Sequence, residues 1–384
     1  MSRIDSDTAG MLRALELAQS ARGRTWPNPM VGCVVVRDGA LLAEGVTQPC
    51  GQDHGEVDAL RRIDFRAEGA TVYVNLEPCC HWGKTPPCTD ALLRSGVRRV
   101  VVGMVDPHSA VAGQGITQLR AAGLEVEVGV LEDACRAVNE AHVVFKTLGR
   151  PFVTLKSAVT LDGRTATRDR LSKWITGDAA RLHARRERGL HQAVLVGVGT
   201  VLADDPRLSA RDEALQREGI AEPARVVLDS RLRTPPGAQL LHSDGGPVWI
   251  CTTDEAAQGP GAQALREAGA TILPCGSNLE IPAVLSALTA RGVATLFVEG
   301  GPTVVGAFLD AGVADRFLVY VAPKVFGGRD ALPLALGEGV GDPRAATTLA
   351  PCAVTRLGDD LLLETRPLEG PAGPWWARRH GGDL

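Results

Sequence analysis

The chain has 384 residues, of which 45% are hydrophobic and 22% are charged, and its formal net charge is −4 at pH 7. This length predicts two or three domains, and the composition excludes disorder, collagen and coiled coil as overall descriptions. The slightly acidic balance provides no basic field that would hold nucleic acid nonspecifically.

The sequence carries no signal for a membrane span or for export. Its longest nearly apolar run, residues 193–203, is shorter than the ~18 residues that a transmembrane helix needs. The N-terminus lacks a basic segment followed by an apolar one, so no signal peptide is predicted. The 9 cysteines are odd in number, which argues against a disulfide set, and those at 33, 135, 251, 275 and 352 are interpreted as small buried residues. We therefore expect a cytoplasmic protein without nucleic-acid or membrane partners.

The first part of the chain, residues 1–148, alternates helix and strand signals. Apolar strands between helices predict a mixed sheet that is covered on both faces, and an Asp38-Gly39 turn predicts an opening hairpin. The predicted elements are a helix over 11–22, the hairpin over 31–45, a helix over 54–63, a strand over 70–76, a helix over 88–96, a strand over 98–106, a helix over 114–123, a strand over 124–131 and one long helix over 131–148.

The sequence Gly149-Arg150-Pro151 interrupts this alternation and marks the domain boundary. A second α/β domain is predicted over residues 149–366. The tail, residues 367–384, is rich in proline and glycine and is predicted to be poorly ordered. The strands of the second domain are expected at 151–163, 193–198, 224–230, 247–253, 294–300 and 315–327, with a helix near 178–189 and a hairpin over 353–366.

A metal-binding pattern lies in the first part. His54 opens a predicted helix, and Cys79 and Cys88 flank the loop that joins a strand to the next helix. One imidazole and two thiolates suit tetrahedral zinc and leave its fourth position for water, whose pKa falls from 15.7 towards ~7 on the metal. Glu56, two residues from His54, can carry the proton of that water. His-x-Glu followed by Pro-Cys-x-x-Cys is the signature of nucleobase deaminases, in which the glutamate is not a ligand.

The spacing leaves alternatives open. Eight residues separate Cys79 from Cys88, where the signature has two, and Cys80 is a competing thiol. Cys79 is preferred because it directly follows Pro78 at the strand end. A structural zinc site closed by His81 is also compatible with the pattern, but it leaves Glu56 without a purpose.

Several features of the second part suit a phosphate-bearing ligand, although no GxGxxG motif follows a strand. In the stretches 196–206 and 298–309, glycines follow a predicted strand and precede a helix. Pro302 suits the first position of the helix in the second stretch. Trp174 lies among small polar residues. Taken singly, such turns are usually only turns, and a lone tryptophan usually belongs to a core.

Taken together, these segments resemble a known family. Residues 27–36, the His54-x-Glu56 pair and residues 76–92 look like the bifunctional deaminase/reductase of riboflavin biosynthesis, and the long insertion before Cys88 is the most specific point. The segments 155–166, 172–176, 199–208, 226–230 and 298–303 look like its reductase half, in the same order. The resemblance spans residues ~10 to ~366 and implies a cytidine-deaminase-like three-layer α/β/α domain followed by a dihydrofolate-reductase-like α/β domain.

The resemblance also implies the site residues. His54, Cys79 and Cys88 would bind Zn²⁺, Glu56 would be the catalytic proton shuttle, and Asn28 would contact the pyrimidine. The implied NADPH contacts are Ala158, Trp174, Thr200, Asp204, Ser230, Gly301, Pro302, Thr303, Val304, Val305, Gly306 and Ala307. The implied substrate contacts are Ser172, Arg188, Leu208, Arg211 and Glu299, of which the two arginines suit a substrate phosphate.

Three positions depart from the family pattern. The family usually has alanine where Gly55 stands, a polar residue at Cys80 and asparagine at Met30. Gly55 costs about 1 kcal/mol of helix propensity and removes no catalytic group. Met30 removes a possible polar contact to the substrate.

The resemblance implies two linked reactions and a homo-oligomer. A 2,5-diamino-6-ribosylaminopyrimidinone 5′-phosphate would be deaminated hydrolytically, and NADPH would then reduce the ribosyl group of the product to ribityl. A nucleic-acid-editing deaminase is an alternative, but the acidic charge and the lack of an aromatic-basic stripe oppose it. A non-catalytic zinc scaffold is a second alternative, which the presence of Glu56 and of the reductase motifs opposes.

Overall fold

The computed structural model describes residues 3–108 and 111–368 of the chain. It divides into two compact units, Met1–Gly149 and Arg150–Leu384, and each unit is described by itself. Of the predicted tail over 367–384, residues 369–384 lie outside the described residues. Within the described ranges, every helix is too short or too polar to span a bilayer.

The first unit alternates helices and strands, and most of their bounds lie close to the predicted ones. In chain order its elements are α1 (Asp7–Ser20), β1 (Gly32–Arg37), β2 (Ala40–Val46), α2 (Gly55–Arg61), β3 (Thr71–Val74), α3 (Cys88–Arg94), β4 (Arg99–Val102), α4 (Gln114–Ala121), β5 (Glu125–Val128), α5 (Glu132–Val138) and α6 (Glu140–Leu148).

The described strands of this unit form one mixed sheet in the order β2-β1-β3-β4-β5. β1 pairs antiparallel with β2 and with β3, whereas β3, β4 and β5 run parallel. Asp38 and Gly39, which join β1 to β2, both have positive φ, the backbone geometry that a two-residue hairpin turn requires. The predicted hairpin and mixed sheet are therefore confirmed.

The long helix predicted over 131–148 is wrong, because Asn139 divides it into α5 and α6. The Asn139 side chain accepts a hydrogen bond from the backbone N–H of Met30 at 2.9 Å and donates one to the carbonyl oxygen of Met30 at 3.0 Å. The backbone of Asn139 leaves helical geometry, with φ −104° and ψ 21°. Long-range hydrogen bonding at this residue outweighs the local helical pattern.

The second unit alternates strands and helices around a larger sheet. Its elements are β6 (Phe152–Thr160), β7 (Arg164–Ala166), α7 (Asp178–Gly189), β8 (Ala193–Gly197), α8 (Val198–Asp204), α9 (Glu213–Arg217), β9 (Ala224–Leu228), α10 (Gln239–His242), β10 (Val248–Thr252), α11 (Pro260–Glu267), β11 (Thr271–Pro274), α12 (Ile281–Thr289), β12 (Thr295–Val298), α13 (Pro302–Asp310), β13 (Arg316–Ala322), β14 (Leu332–Pro333), β15 (Ala353–Leu357) and β16 (Asp360–Thr365).

Nine described strands form this sheet in the order β11-β10-β9-β8-β12-β6-β13-β16-β15, and β7 pairs separately with β14. The strands from β11 to β13 run parallel, and the hairpin of β15 and β16 is added antiparallel at one edge. Neighbouring residues of β8 pack into different apolar clusters, Leu195 into one and Val194 and Val196 into the other. Since successive side chains of a strand point to opposite faces, the sheet is covered on both sides.

A buried ion pair connects the start of β6 with the residue before β13. Arg150 donates from Nη1 and Nη2 to both carboxylate oxygens of Asp315, at 2.6 and 2.8 Å, and their side chains are 12% and 10% exposed. The same carboxylate accepts the backbone N–H of Val153 at 2.8 Å. The pair therefore holds two adjacent parallel strands in place.

We expect Arg150→Ala to destabilise the second unit by roughly 3–5 kcal/mol, because it leaves the Asp315 carboxylate buried without its cation. Calorimetric unfolding should show that the transition of the second unit moves to a lower temperature. Arg344→Ala is the control, since the Arg344 side chain is 90% exposed where it pairs with Asp342, and it should cost less than about 1 kcal/mol. Equal shifts for both variants would contradict a stabilising role for the buried pair.

Candidate active sites

The first candidate site contains one imidazole and two thiols. His54, Cys79 and Cys88 each present a possible metal ligand atom, and these atoms all lie within 4.8 Å of one another. His54 Nδ1 is 3.6 Å from Cys79 Sγ and 3.4 Å from Cys88 Sγ. The structure thus brings together the three residues that the sequence pattern singles out as ligands.

Local structure explains how these side chains meet. His54 is the N-cap of α2 and Cys88 is the first residue of α3, so two helix N-termini converge. Cys79 lies beyond the end of β3, and its sulfur accepts the backbone N–H of Cys88 at 3.4 Å. The backbone N–H at the start of α3, a positive helix end, favours the thiolate form of Cys79.

The spacing of the donor atoms fits tetrahedral zinc. With bond lengths of about 2.0–2.3 Å to nitrogen and sulfur, neighbouring ligand atoms of such a site are roughly 3.6 Å apart. The two nitrogen–sulfur distances, 3.4 and 3.6 Å, agree with this value. The Thr85 hydroxyl lies 3.4 Å from His54 Nε2, which leaves Nδ1 to face the sulfurs.

Glu56 lies beside the three donors without being one of them. Its side chain is buried, with 3% exposure, and it shares a hydrogen bond with Cys88. Burial, and then the nearby Cys79, raises the pKa of Glu56 to about 7. A carboxyl group with such a pKa can accept a proton and release it again near neutral pH.

Hydrogen bonding shifts the pKa values of the two thiols in opposite directions. The hydrogen bond from Cys88 lowers the pKa of Cys79, while the same contact and burial raise the pKa of Cys88. The Cys79 sulfur in turn raises the pKa of His54. Cys79 is therefore the thiol that loses its proton most easily.

The two competing candidates lie outside this group. Among the described residues, the donor cluster contains neither Cys80 nor His81. The His81 ring is exposed and lies 6.0 Å from the ring of His108, and burial raises the pKa of Cys80. A structural site closed by His81 is not favoured by this geometry.

Asn28, the predicted pyrimidine contact, lies in a turn before β1. Its backbone N–H donates to the Thr25 carbonyl at 2.8 Å, and its own carbonyl accepts the Thr25 hydroxyl at 3.0 Å. Among the described residues its side-chain amide has no protein partner. The amide is thus available for a ligand, although the structure shows no contact between it and His54, Cys79 or Cys88.

The second candidate site is a cleft of about 1660 Å³ in the second unit. It lies at the carboxyl ends of the parallel strands, where residues following β8, β9 and β12 line it, as is usual for ligand sites of α/β sheets. Small-molecule pockets typically have roughly 300–1,000 Å³, so this cleft has room for a dinucleotide and a second ligand.

Most of the residues predicted to contact NADPH and substrate line this cleft. The cofactor candidates among its lining residues are Ala158, Trp174, Thr200, Asp204, Ser230, Gly301, Pro302, Thr303, Val304 and Ala307, and the substrate candidates are Ser172, Arg188, Leu208, Arg211 and Glu299.

The Trp174 segment is held in place from both sides. The Lys324 ammonium donates to the carbonyl oxygens of Trp174 and Ile175 at 2.9 and 2.7 Å, and Lys173 pairs with Asp204 at 3.1 Å. The Trp174 ring is 65% exposed and stacks with the Arg181 guanidinium at 4.6 Å. An anchored, exposed indole at the edge of the cleft fits a platform for a flat ring.

Val305 and Gly306, which the resemblance includes among the NADPH contacts, do not line the cleft. Val305 is buried in the apolar cluster on one face of the sheet. A Cβ at Gly306 would overlap the backbone of Leu336, another residue of the cleft wall. Because α13 turns by about 100° per residue, not every residue of this stretch can face the same ligand.

A buried carboxylate organises one end of the cleft. Glu299 accepts hydrogen bonds from Arg188 Nε and Nη2 at 2.5 and 3.0 Å, and Lys156 Nζ lies 3.7 Å away. Arg188 and Lys156 keep the pKa of Glu299 below its ordinary value despite burial. Lys156 is therefore part of a charged group that contains two cations and one carboxylate.

Sequence reasoning missed five further arginines of this cleft, which are Arg170, Arg181, Arg185, Arg207 and Arg233. Arg185 precedes Arg188 by three residues on α7, a spacing that places two side chains on one side of a helix. That spacing could have identified Arg185 from the sequence. Arg207 lies in a loop, where no periodicity indicates its direction.

Comparison with known protein families gives two matches. Residues 151–363 match the family described as the RibD C-terminal domain. Residues 4–104 match the cytidine and deoxycytidylate deaminase zinc-binding region.

Individual proteins match over nearly the whole chain. The riboflavin biosynthesis protein RibD of Bacillus amyloliquefaciens is 40% identical over 369 residues, which cover 94% of this chain and 97% of that protein. The protein of the same description from Escherichia coli strain K12 is 38% identical over 363 residues, which cover 92% of this chain and 97% of that protein.

Solved structures match as well. The structure of Acinetobacter baumannii RibD, form 1, has a TM-score of 0.84 and 37% identity, covering 94% of this chain and 98% of that chain. A diaminohydroxyphosphoribosylaminopyrimidine deaminase/5-amino-6-(5-phosphoribosylamino)uracil reductase from Thermotoga maritima has a TM-score of 0.81 and 35% identity, with the same coverages, 94% and 98%.

We expect Cys79→Ser to lose bound zinc and Cys80→Ser to retain it, because only the first sulfur lies within the donor group. Elemental analysis of the purified variants measures zinc per chain. Zinc retained in Cys79→Ser and lost in Cys80→Ser would show that the neighbouring thiol is the ligand.

We expect Gly306→Ala to impair the cleft although residue 306 does not line it, since a methyl group there must displace the Leu336 backbone. NADPH affinity, measured by fluorescence titration, should fall at least about tenfold, together with the unfolding temperature. Gly237→Ala is the control, because nothing lies within 4 Å of a Cβ at that position. Unchanged affinity and stability in Gly306→Ala would contradict the packing role.

Proposed function

The chain belongs to the RibD family of riboflavin-biosynthesis proteins, and on this premise we propose which of its residues carry out the two reactions. The family and the fold class predicted from the sequence are confirmed. The chain is a bifunctional enzyme, a deaminase and a reductase, with Zn²⁺ and NADPH as its cofactors.

The proposed substrates are pyrimidine ribonucleotides. In the first reaction, water replaces the exocyclic amine of a 2,5-diamino-6-ribosylaminopyrimidinone 5′-phosphate with a carbonyl oxygen, and ammonia leaves. In the second, the ribosyl group of the product, 5-amino-6-(5-phosphoribosylamino)uracil, gains a hydride at C1′ and a proton, which gives the ribityl chain. The Thermotoga relative bears the names of both activities.

His54, Cys79 and Cys88 would hold the zinc ion. Their ligand atoms are spaced for a tetrahedral metal, and three protein ligands leave one position open. Zinc supplies Lewis acidity, which makes water nucleophilic at neutral pH. Thr85 orients the His54 ring from its other nitrogen.

Glu56 is the proposed proton shuttle. Its carboxyl group lies against Cys88 and is shielded from solvent, and this burial raises its pKa to about 7. It can therefore take the proton of the attacking water and deliver it to the departing amine. Asn28, whose side-chain amide is available, is the proposed contact to the pyrimidine ring.

The reductase reaction is proposed to take place in the cleft of the second unit. NADPH supplies the hydride, so the task of the protein is to position donor and acceptor. Trp174, Thr200 and Ser230 are proposed for the cofactor side, and Arg188 with Glu299 for the substrate side. The single observation that carries the assignment is that nearly all candidates from six separate segments line one cleft.

Two further assignments follow from the family. A homo-oligomer is proposed from the resemblance alone. A cytoplasmic location is proposed because all 9 cysteines are free, which suits a reducing compartment. Cys33, Cys135, Cys251 and Cys275 are buried as expected, whereas the same interpretation is wrong for Cys352, which is exposed.

The alternatives are less well supported. An editing deaminase would not explain the reductase domain, and a non-catalytic scaffold would not explain a buried carboxyl group beside three metal donors.

We expect Glu56→Gln to reduce ammonia release at least about 100-fold, because general acid–base catalysis contributes that much or more. Zinc content should stay unchanged, since Glu56 is not among the donors. Ammonia is assayed with the diamino substrate, and NADPH oxidation is assayed separately with the deaminated product.

The control is Glu68→Gln, the same substitution at an exposed carboxylate of the same unit, which should affect neither assay. NADPH oxidation by Glu56→Gln should equal that of the unmodified protein. Undiminished ammonia release from Glu56→Gln would refute its role as proton shuttle.

A further inference from the structure

The segment that carries Asn28 is held by side chains from two distant parts of the first unit. Asn75 follows β3, and Asn139 lies between α5 and α6. Both asparagines are buried, and their amide groups meet at one residue, Met30, which lies two positions after Asn28. We call these two asparagines the Met30 clamp.

The clamp binds the backbone of this segment. Asn139 accepts the Met30 N–H through Oδ1 at 2.9 Å and donates from Nδ2 to the Met30 carbonyl at 3.0 Å. Asn75 donates from Nδ2 to the same carbonyl at 3.0 Å and accepts the Gly32 N–H through Oδ1 at 2.9 Å. Because these groups are buried, losing either amide leaves backbone groups without partners.

Asn75 connects the segment to the strand end that supplies a metal donor. It is the first residue after β3, and Cys79 follows it by four positions along the chain. The hydrogen bonds of Asn75 to Met30 and Gly32 therefore couple the position of the Asn28 segment to that of Cys79.

A second contact connects the same segment to the start of α2. The Val31 carbonyl accepts the Thr47 N–H at 2.8 Å, and a Cβ at position 55 would come within 2.7 Å of the same oxygen. Residue 55 stands between His54 and Glu56. The backbone next to Met30 is thus packed against the turn of α2 that presents the proposed zinc ligand and proton shuttle.

The direction of the Asn28 amide depends on how this backbone is placed. The backbone of Asn28 is bound to Thr25 within a turn, whereas its side chain has no protein partner in the described part of the chain. A group that is to meet a ligand in one geometry must be held there by its supporting residues, because displacements of about 1 Å can cost much of the activity.

We propose that Asn75 and Asn139 are positioning residues of the deaminase reaction, which hold Met30 by its backbone and so direct the Asn28 amide to the pyrimidine ring of the substrate. The proposal deepens the proposed deaminase function and rests on it for the role of Asn28. The competing explanation is that the clamp only stabilises the fold, and this explanation predicts no selective change in the KM of ammonia release.

Steady-state ammonia release by Asn28→Ala, Asn139→Asp and the double variant tests the proposal. Asn139→Asp keeps the acceptor for the Met30 N–H, but it loses the donor and places a carboxylate oxygen at the Met30 carbonyl. We expect KM to rise at least about tenfold and kcat to change less than about threefold, because the lost contact is one to bound substrate. In the Asn28→Ala background, Asn139→Asp should add less than about twofold, since both changes act through the same contact.

Gln19→Glu is the matched control, because it makes the same change from amide to carboxylate at an exposed side chain of α1, and it should leave KM unchanged. Asn139→Ala, which introduces no charge, is the second variant and should raise KM as Asn139→Asp does. Zinc per chain, and NADPH oxidation with the deaminated product, should stay unchanged in every variant.

The outcomes separate the clamp from the contact that it serves. Multiplicative losses in the double variant would overturn the positioning role, and so would loss of zinc from both Asn139 variants, which would assign the clamp to the integrity of the metal site. A raised KM in Asn28→Ala, with normal KM in both Asn139 variants, would overturn the clamp alone. An unchanged KM in Asn28→Ala would refute the proposed pyrimidine contact and the clamp together.

Discussion

The deaminase half depends on the compensation of negative charge at its metal-binding residues. Two sulfurs, an imidazole and a carboxyl group are packed together; Cys88 and Glu56 are buried, and His54 and Cys79 are half-buried. If the thiols and the carboxyl group ionise without a cation, each buried charge is costly. A divalent metal removes this cost and uses the same groups as ligands or as a neighbouring base. The positions of α2, α3 and the end of β3 follow from this requirement, because they bring His54, Cys88 and Cys79 to one point.

The reductase half has the opposite charge balance at its candidate site. There two cations, Arg188 and Lys156, face the buried carboxylate of Glu299, and further arginines, among them Arg185, Arg207 and Arg211, line the same cleft. The first site collects negative charge and so suits a cation, whereas the second collects positive charge and so suits an anionic ligand. The two chemistries therefore need different electrostatic surroundings, which two separate compact units can supply.

Much of the fold and the metal site could be predicted from the sequence. Buried strands, helix starts and the Asp38-Gly39 turn are determined by local pattern, and His54 with Cys79 combines a recognisable spacing with a strand end. The break of the last helix at Asn139 could not be predicted, because its cause is a pair of hydrogen bonds to a residue far away in the sequence. The direction in which each side chain of α13 points could not be predicted from the sequence either, because neighbouring residues of this helix face the cleft and the core.

The contact between Asn139 and Met30 also helps to explain one of the departures from the family pattern. At Met30 both the N–H and the carbonyl are bound by Asn139, and Asn75 also donates to the carbonyl, at 3.0 Å. The chain at this point is therefore fixed through its backbone, so it does not need a polar side chain to be held in place. Gly55 has a complementary explanation, because a Cβ there would come within 2.7 Å of the Val31 carbonyl oxygen. In this chain the helix that begins after His54 packs closely against β1, and glycine at its first position permits that approach.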